Sequence, residues 1–376
     1  MKLIFSVEAL APQLTGIGRY TWELAQRLPA HAALEGVDFF RSGRWVTDLP
    51  KLLQASPAAG AASTVGLRKP IRWPRWARNF SMSLACRGRV LHGPNFFLPA
   101  CADIGVITVH DLSVFKFPET HPAERVRQFE HDFSRSIAQA AHVVTDSHTT
   151  RAEVLAFTGL DASRVTAVPL GVSDAYMPRT DEQLAGQLQK YGLPARGYAL
   201  CVSTLEPRKK IQQLLNAWEQ LPVALRGEYP LVLAGSAGWL NEAIQTKIQR
   251  GSAQGWVKYL GFVEQSDLPA LYAGAAVFVY PSTYEGFGLP PIEAMACGVP
   301  VVVSAQSCLP EVTQGAALTV DPDDVAAFVS TLEQSLTDSS WRLNAIAAGL
   351  KVAGSYTWQR CVNETVKVYQ SVGSRG

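Results

Sequence analysis

Short apolar runs rich in β-branched residues alternate with longer stretches of helical periodicity along the whole chain. The runs are "KLIFSVEA", "RVLHGP", "GVITVHD", "HVVTDS" and "RVTAVPLGV", then "YALCVST", "PLVLAGS", "WVKYLGFV", "AVFVYPS" and "VPVVVS". Near-continuous apolar strands separated by helices predict parallel sheets built from crossover units, because a parallel strand is covered on both faces. Between the fifth and sixth runs lies "SDAYMPRTDEQLAGQLQKYGLPARG", polar and interrupted by Pro and Gly. A domain boundary is expected within 174–196, giving two α/β domains, 1–178 and 179–355. The last helical stretch sets Trp358, Val362, Val366 and Tyr369 on one stripe, which has to pack against another element. The one low-complexity stretch, "ASPAAGAAS" at 55–63, reads as a loop.

Length and composition support this division. A chain of 376 residues exceeds the size at which one core keeps growing, and 47% apolar against 18% charged residues argues for a buried core and against disorder. The net charge of +2 gives no global field for nucleic acid, so any electrostatic function has to be local. Six cysteines are scattered without a Cys-x-x-Cys pair or a His cluster at ligand spacing. They read as reduced core thiols of a cytosolic protein. The opening "MKLIFSVEAL" is a first strand rather than a signal peptide, and no apolar run has transmembrane length.

The chemistry concentrates in "EGFGLPPIEAMACGVPVVVS", residues 285–304. A strand, "AVFVYPS", runs into the loop "TYEGFG", and the prolines of "LPPIEAMACG" suit the first turn of a helix. Ligands of open parallel sheets bind outside such strand ends. The N–H groups of Phe287, Gly288 and Leu289 at the helix start form an anion site, and Gly288 allows close approach of a phosphate. Glu285 is placed to accept from hydroxyls beside that anion, and Glu293, a turn further on, from a second hydroxyl pair. A sugar, a diphosphate and a ribose fit in that order. For Glu293 alone, an acid serving the helix dipole is an equal reading.

This segment resembles the donor-site motif of the family 4 retaining glycosyltransferases, with two glutamates separated by seven intervening residues in a G-F-G-L-P context. "TGIGRY", "HDL", "STLEPRKK" and "SCLPEV" follow the family's order along almost the whole chain. The resemblance implies the GT-B fold, two Rossmann-like domains with parallel sheets facing across a cleft, and a final helix, 356–376, that packs back on the first domain. It implies Lys209 as a diphosphate ligand. Thr204 stands where the family commonly has Arg, so Arg208 is expected to supply the missing guanidinium. It assigns Gly16 and Gly18, just ahead of an amphipathic helix, to a loop closing over the diphosphate; read alone, Gly-x-Gly is often only a tight turn. It assigns His110 to the donor sugar near the reaction centre, with Asp111 beside it to orient acceptor or loop. The catalytic group expected is therefore His110, Asp111, Arg208, Lys209 and Glu285. Retention of configuration follows from the resemblance alone.

Three features stay open. "DPDD" at 321–324 reads as a helix N-cap rather than a metal site, and no metal or other cofactor is expected. Glu311 in "SCLPEV" is either a donor-site residue or a structural cap. Residues 64–89 carry seven Arg/Lys and no acid, with tryptophans at helical spacing. They suit an anionic membrane surface, as for peripheral contact at the cytoplasmic face of an inner membrane, or a helix burying its tryptophans in the first domain. The relatives closest in look are mannosyltransferases of O-antigen and exopolysaccharide assembly. The expected partners are a nucleotide-sugar donor, GDP-mannose first, and a lipid-linked saccharide acceptor, without nucleic acid. The rival functions are a UDP-sugar transferase of the same family, a sugar-nucleotide 2-epimerase of the same fold, and a non-catalytic binder; a nicotinamide dehydrogenase lacks its third glycine.

Overall fold

The computed structural model describes residues 1–54, 82–120, 123–238 and 242–374. The loop at 55–63 and most of the basic segment 64–89 lie outside the described residues. The chain divides into two compact units: Met1–Asp146, Thr150–Val168 and Trp358–Gly376 form unit 1, and Ser147–Thr149 with Pro169–Thr357 form unit 2. The main division thus falls at Val168–Pro169, ahead of the boundary at 178/179 drawn from the polar stretch.

Unit 1 holds a seven-stranded sheet in the order β3-β2-β1-β4-β5-β6-β7. Its strands are β1 (Lys2–Ser6), β2 (Gly36–Arg41), β3 (Arg44–Val46), β4 (Val90–Gly93), β5 (Ile104–Val109), β6 (Ala140–Thr145) and β7 (Val165–Ala167). All neighbours run parallel except β2 and β3, so the expectation of a purely parallel sheet is corrected at this edge. Ser42 and Gly43 both have positive φ, 48° and 75°, the geometry that a tight hairpin needs to match strand twist. The inner strands β4 and β5 are buried along almost their whole length and supply the core with Leu91, Ile107 and Val109.

The C-terminal helix, Trp358–Gly373, belongs to this unit and lies against β4, β5, β6 and the helix Gly16–Arg27. Trp358, Val362, Val366 and Tyr369 are each at most 3% exposed, so the apolar stripe is fully covered. A buried hydrogen-bond chain ties it down. The Tyr369 hydroxyl meets His92 Nδ1 at 2.6 Å, His92 Nε2 meets the Thr108 hydroxyl at 2.8 Å, and Thr108 meets the Tyr20 hydroxyl at 2.9 Å. Burial, with His110 nearby, pushes the His92 pKa down to about 3. The ring is therefore neutral, which a position between two hydroxyls accommodates without charge.

Unit 2 holds β8 (Ala199–Val202), β9 (Leu231–Ala234), β10 (Val257–Tyr259), β11 (Val277–Tyr280), β12 (Val301–Ser304) and β13 (Leu318–Val320), all parallel. Their order, β10-β9-β8-β11-β12-β13, is 3-2-1-4-5-6 within the unit, the doubly wound order of dinucleotide-binding folds. The winding reverses between β8 and β11, and in open α/β sheets such a switch point, at the carboxyl ends of the strands, is where ligands bind. One glycine sets the shape of the first loop. Gly235, after β9, has φ 138°, and a Cβ there would lie 2.0 Å from the Ser203 carbonyl oxygen. Only a residue without a side chain lets the chain after β9 press against the chain after β8, where Leu205 N–H donates to Ser236 O at 3.0 Å.

Candidate active site

Past β8 the chain makes a 3-10 turn, Pro207–Lys209, that ends on Lys210 in the left-handed conformation before the helix Ile211–Gln220. Two consecutive cations, Arg208 and Lys209, are thereby held at the carboxyl end of the strand. Past β11 the loop 281–288 runs to the helix Leu289–Ala296. The two loops are tied together, since Thr283 donates through both its N–H and its hydroxyl to the Arg208 carbonyl, at 3.0 and 3.1 Å. The second loop is also pinned from β12. Cys308 Sγ donates to the carbonyls of Glu285 and Phe287 at 3.1 and 3.3 Å, and the Ser307 hydroxyl donates to the Glu285 carbonyl at 2.8 Å. A loop whose carbonyls are satisfied this way holds its side chains and N–H groups in fixed directions.

These constraints assemble a charged cluster at the switch point. Lys209 Nζ donates to Glu285 Oε1 and, at 3.0 Å, to the Tyr280 hydroxyl, which itself donates to Glu285 Oε1 at 2.9 Å. Arg208 pairs with Glu206 Oε1 at 2.8 Å, lies 3.5 Å from Glu285 Oε2, and donates to the Tyr284 carbonyl at 2.6 Å. Burial by itself would push the Glu285 carboxyl up, but the charges of Lys209 and Arg208 outweigh it and hold the pKa at about 2. Burial, then the neighbouring Glu285 charge, drives the Tyr280 hydroxyl well above its usual value, so it stays protonated and donates.

The helix Leu289–Ala296 starts beside this cluster. Gly288 caps it in the left-handed region at φ 92°, and a Cβ there would strike Leu309 at 2.7 Å. Pro290 and Pro291 carry no N–H, so the donors of the helix start are those of the segment Phe287, Gly288 and Leu289 with Ile292. Glu293 is buried, 4% exposed, within the same helix. Arg208, Lys209, Glu285, Phe287, Gly288 and Leu289 are thus brought together in unit 2, with Glu293 a turn further along the helix that starts there. Lys210 turns elsewhere and pairs with Asp323 at 2.8 Å. Asp324, in "DPDD", caps the helix Val325–Thr337 through its bond from Ala327 N–H at 3.0 Å. Glu311 is a structural cap: its carboxylate accepts from the N–H groups of His148 and Thr149, at 2.7 and 2.8 Å. Among the described residues no group of three or more His, Cys, Asp or Glu is arranged to hold a metal ion.

Unit 1 carries the remaining candidates. His110 directly follows β5 and is 7% exposed. Its Nδ1 faces Asp146 Oδ2 at 2.7 Å and its Nε2 faces the Pro94 carbonyl at 2.8 Å, so one ring joins the carboxyl ends of β4, β5 and β6. Burial favours the neutral ring, yet the Asp146 carboxylate and the Pro94 carbonyl prevail and the pKa is raised. A doubly protonated ring donates to both neighbours, the Asp146 carboxylate and the Pro94 carbonyl. Asp111 accepts from Ser113 N–H at 2.8 Å and starts the short helix Ser113–Lys116. Gly16 and Gly18 do not precede the helix, as the sequence suggested, but form its first turn. Thr15 is the cap and accepts from Gly18 N–H at 3.4 Å. A Cβ on Gly18 would meet Ala9 O at 3.1 Å, which accounts for glycine there through close packing.

Tyr280, Glu206 and Asp146 were not picked out from the sequence, although each stands at or just past a strand end. Tyr280 ends "VFVY", Glu206 lies inside "STLEPRKK", and Asp146 follows "HVVT".

Residues 187–352 match the model of the family described as "Glycosyl transferases group 1". Over 98% of its length the chain is 40% identical to the whole of "O-antigen chain mannosyltransferase B" of Escherichia coli. The chain belongs to the group 1 glycosyl transferases. The matched segment contains the entire cluster from Glu206 to Glu293, whereas the His110–Asp146 pair lies outside it. This glycosyltransferase is also 30% identical, over 67% of its length, to "Serotype-specific mannosyltransferase WbdA" of Escherichia coli, but that alignment spans 32% of the longer relative. Among solved structures, sucrose-phosphate synthase from Thermosynechococcus elongatus superposes with a TM-score of 0.74 over 100% of both chains at 21% identity, which supports the GT-B fold. The activity is transfer of a sugar from a donor to an acceptor, and the unit 2 cluster is its candidate centre. No helix among the described residues is long and apolar enough to cross a membrane.

Proposed function

We propose that the protein transfers mannose from GDP-mannose, with retention at the anomeric carbon, to a lipid-linked saccharide in bacterial O-antigen or exopolysaccharide assembly at the cytoplasmic face of the inner membrane. The observation that carries this reading is the 40% identity, over almost the whole chain, to the Escherichia coli O-antigen chain mannosyltransferase B. The unit 2 cluster supports it chemically. Lys209 and Arg208 neutralise the departing diphosphate, and the N–H groups at Phe287–Leu289 add donors that need no reorganisation. Glu285 takes hydroxyls of the sugar and Glu293 those of the ribose. With two cations at the leaving group, the transfer runs without a metal. The departing phosphate oxygen accepts the proton of the attacking hydroxyl, so no protein nucleophile is needed.

Thermal unfolding against GDP, UDP, ADP, dTDP, GDP-mannose and NAD tests the donor. A ligand at a hundred times its dissociation constant adds about 2.7 kcal/mol. Stabilisation by GDP and GDP-mannose, lost in Glu293→Ala, is the expected result. Stabilisation by UDP or ADP instead would overturn the mannose assignment.

A further inference from the structure

In the cluster, every cation already has a carboxylate. Lys209 is paired with Glu285, Arg208 with Glu206, and the side chains of all four are at most 19% exposed. Two acids and two bases cancel, so the site in this state presents an incoming diphosphate with no net positive charge. A phosphate that draws on Lys209 has to separate it from Glu285, which leaves a buried carboxylate without its ammonium. Removing one partner of a buried pair is far more costly than replacing both partners, because the charge left behind is uncompensated. A sugar supplies what is missing, because its hydroxyls donate to the released carboxylate.

We propose that Glu285 is, besides a sugar ligand, the internal counter-ion of Lys209, and that this pair makes the site bind an intact nucleotide sugar in preference to the bare nucleoside diphosphate. The inference rests on the reading above that Lys209 takes the diphosphate and Glu285 the sugar. Two further observations support it. The Tyr280 hydroxyl bonds to both partners, at 3.0 and 2.9 Å, and so holds them in register. Glu285 stays ionised throughout the neutral range, so the pair is not broken by protonation. Once the sugar has left, the pair re-forms and expels the product nucleotide, so the same contact that disfavours diphosphate binding assists release.

The test is calorimetric titration at fixed ionic strength of the wild type and Glu285→Gln with inorganic pyrophosphate, GDP and GDP-mannose. Glutamine keeps the shape and an acceptor for Lys209 but removes the charge. Pyrophosphate and GDP should bind at least tenfold more tightly to the variant, about 1.4 kcal/mol per tenfold step, while GDP-mannose gains nothing or weakens. Unchanged or weaker binding of pyrophosphate overturns the inference, as does its failure to bind either protein. Tyr280→Phe should shift pyrophosphate in the same direction by a smaller factor, and it serves should Glu285→Gln fail to fold; no shift there is equally adverse. Pyrophosphate carries no base or sugar, so its behaviour decides the counter-ion role even if the wild type turns out to bind UDP and its sugars and the GDP-mannose reading falls.

Discussion

His110 in unit 1 and Lys209 in unit 2 both lie past the carboxyl end of a central strand, and both face a carboxylate. Their surroundings differ in what is left over. The His110 ring has two N–H groups and two acceptors, Asp146 and the Pro94 carbonyl, so the pairing uses the ring completely. Lys209 has three donors and uses two, on Glu285 and Tyr280. Glu285 shares its carboxylate with a second cation, Arg208, at the longer distance of 3.5 Å. A charge whose partners are all structural fixes loops, whereas a charge held by an exchangeable partner can be handed to a ligand. Location at a strand end is common to both, and the count of unspent donors separates them.

The sharpest way to break this comparison is to remove the acid from each pair. Asp146→Ala leaves His110 buried without its carboxylate and should lower unfolding stability by about 3–5 kcal/mol in urea titrations. An Asp146→Ala protein that is as stable as the wild type but inactive would make the unit 1 pair a chemical group after all. Next in size, Lys209→Met should lower turnover by on the order of 10²–10³-fold through loss of charge at the leaving group, with the fold retained by circular dichroism. A variant that turns over at the wild-type rate would remove Lys209 from the chemistry.

The two pairs also carry opposite pH signatures. The raised pKa of His110 means that the stability it contributes is fully present below the ordinary 6.5 and is lost as pH rises through the raised value. Glu285, depressed to about 2, contributes stability that is present above its ordinary 4.5 and is lost as pH falls towards 2. His92 adds to the acid side. Held neutral down to about pH 3, it leaves the unfolded chain binding the extra proton between there and 6.5, so at pH 5 it costs about 2 kcal/mol relative to pH 7. Urea midpoints at pH 5, 7 and 8.5 should show a decline above neutrality that Asp146→Asn flattens, and a decline at pH 5 that His92→Gln flattens. A decline at pH 8.5 that persists unchanged in Asp146→Asn would exclude His110 as its source.

The unit 2 centre was legible because it is nearly linear in sequence. Strand, glycine loop and proline-started helix lie within a single stretch, and Lys209 follows from being at the mouth of another strand in the same kind of fold. The way Lys209 and Glu285 meet across 76 positions was not legible, because it depends on the winding order that sets β8 beside β11. The same holds for His110 and Asp146, 36 positions apart, which come together only once β5 and β6 are paired in register. Tyr280 read as one more apolar residue of a buried strand, since nothing in "VFVY" distinguishes a packed ring from one whose hydroxyl reaches two charges. The β2–β3 hairpin was missed for a different reason. β3 has three residues, and β2 is largely half-exposed, so neither forms an apolar run; only the Ser42–Gly43 turn marked it.

The smallest effect comes from the neighbour that looks most like Lys209. Lys210 follows it in the chain and is also paired with an acid, Asp323, but on the surface: the Asp323 side chain is 51% exposed. In water the attraction is screened and two long side chains lose freedom to make it, so such a pair contributes about 0–1 kcal/mol. Asp323→Asn should change stability by no more than that and leave turnover at the wild-type level, measured beside Glu285→Gln in the same assay. A loss of turnover in Asp323→Asn comparable to that of Glu285→Gln would mean that Lys210 joins the diphosphate site. The distinction between a spent and an exchangeable cation would then have to be drawn one residue further along the chain.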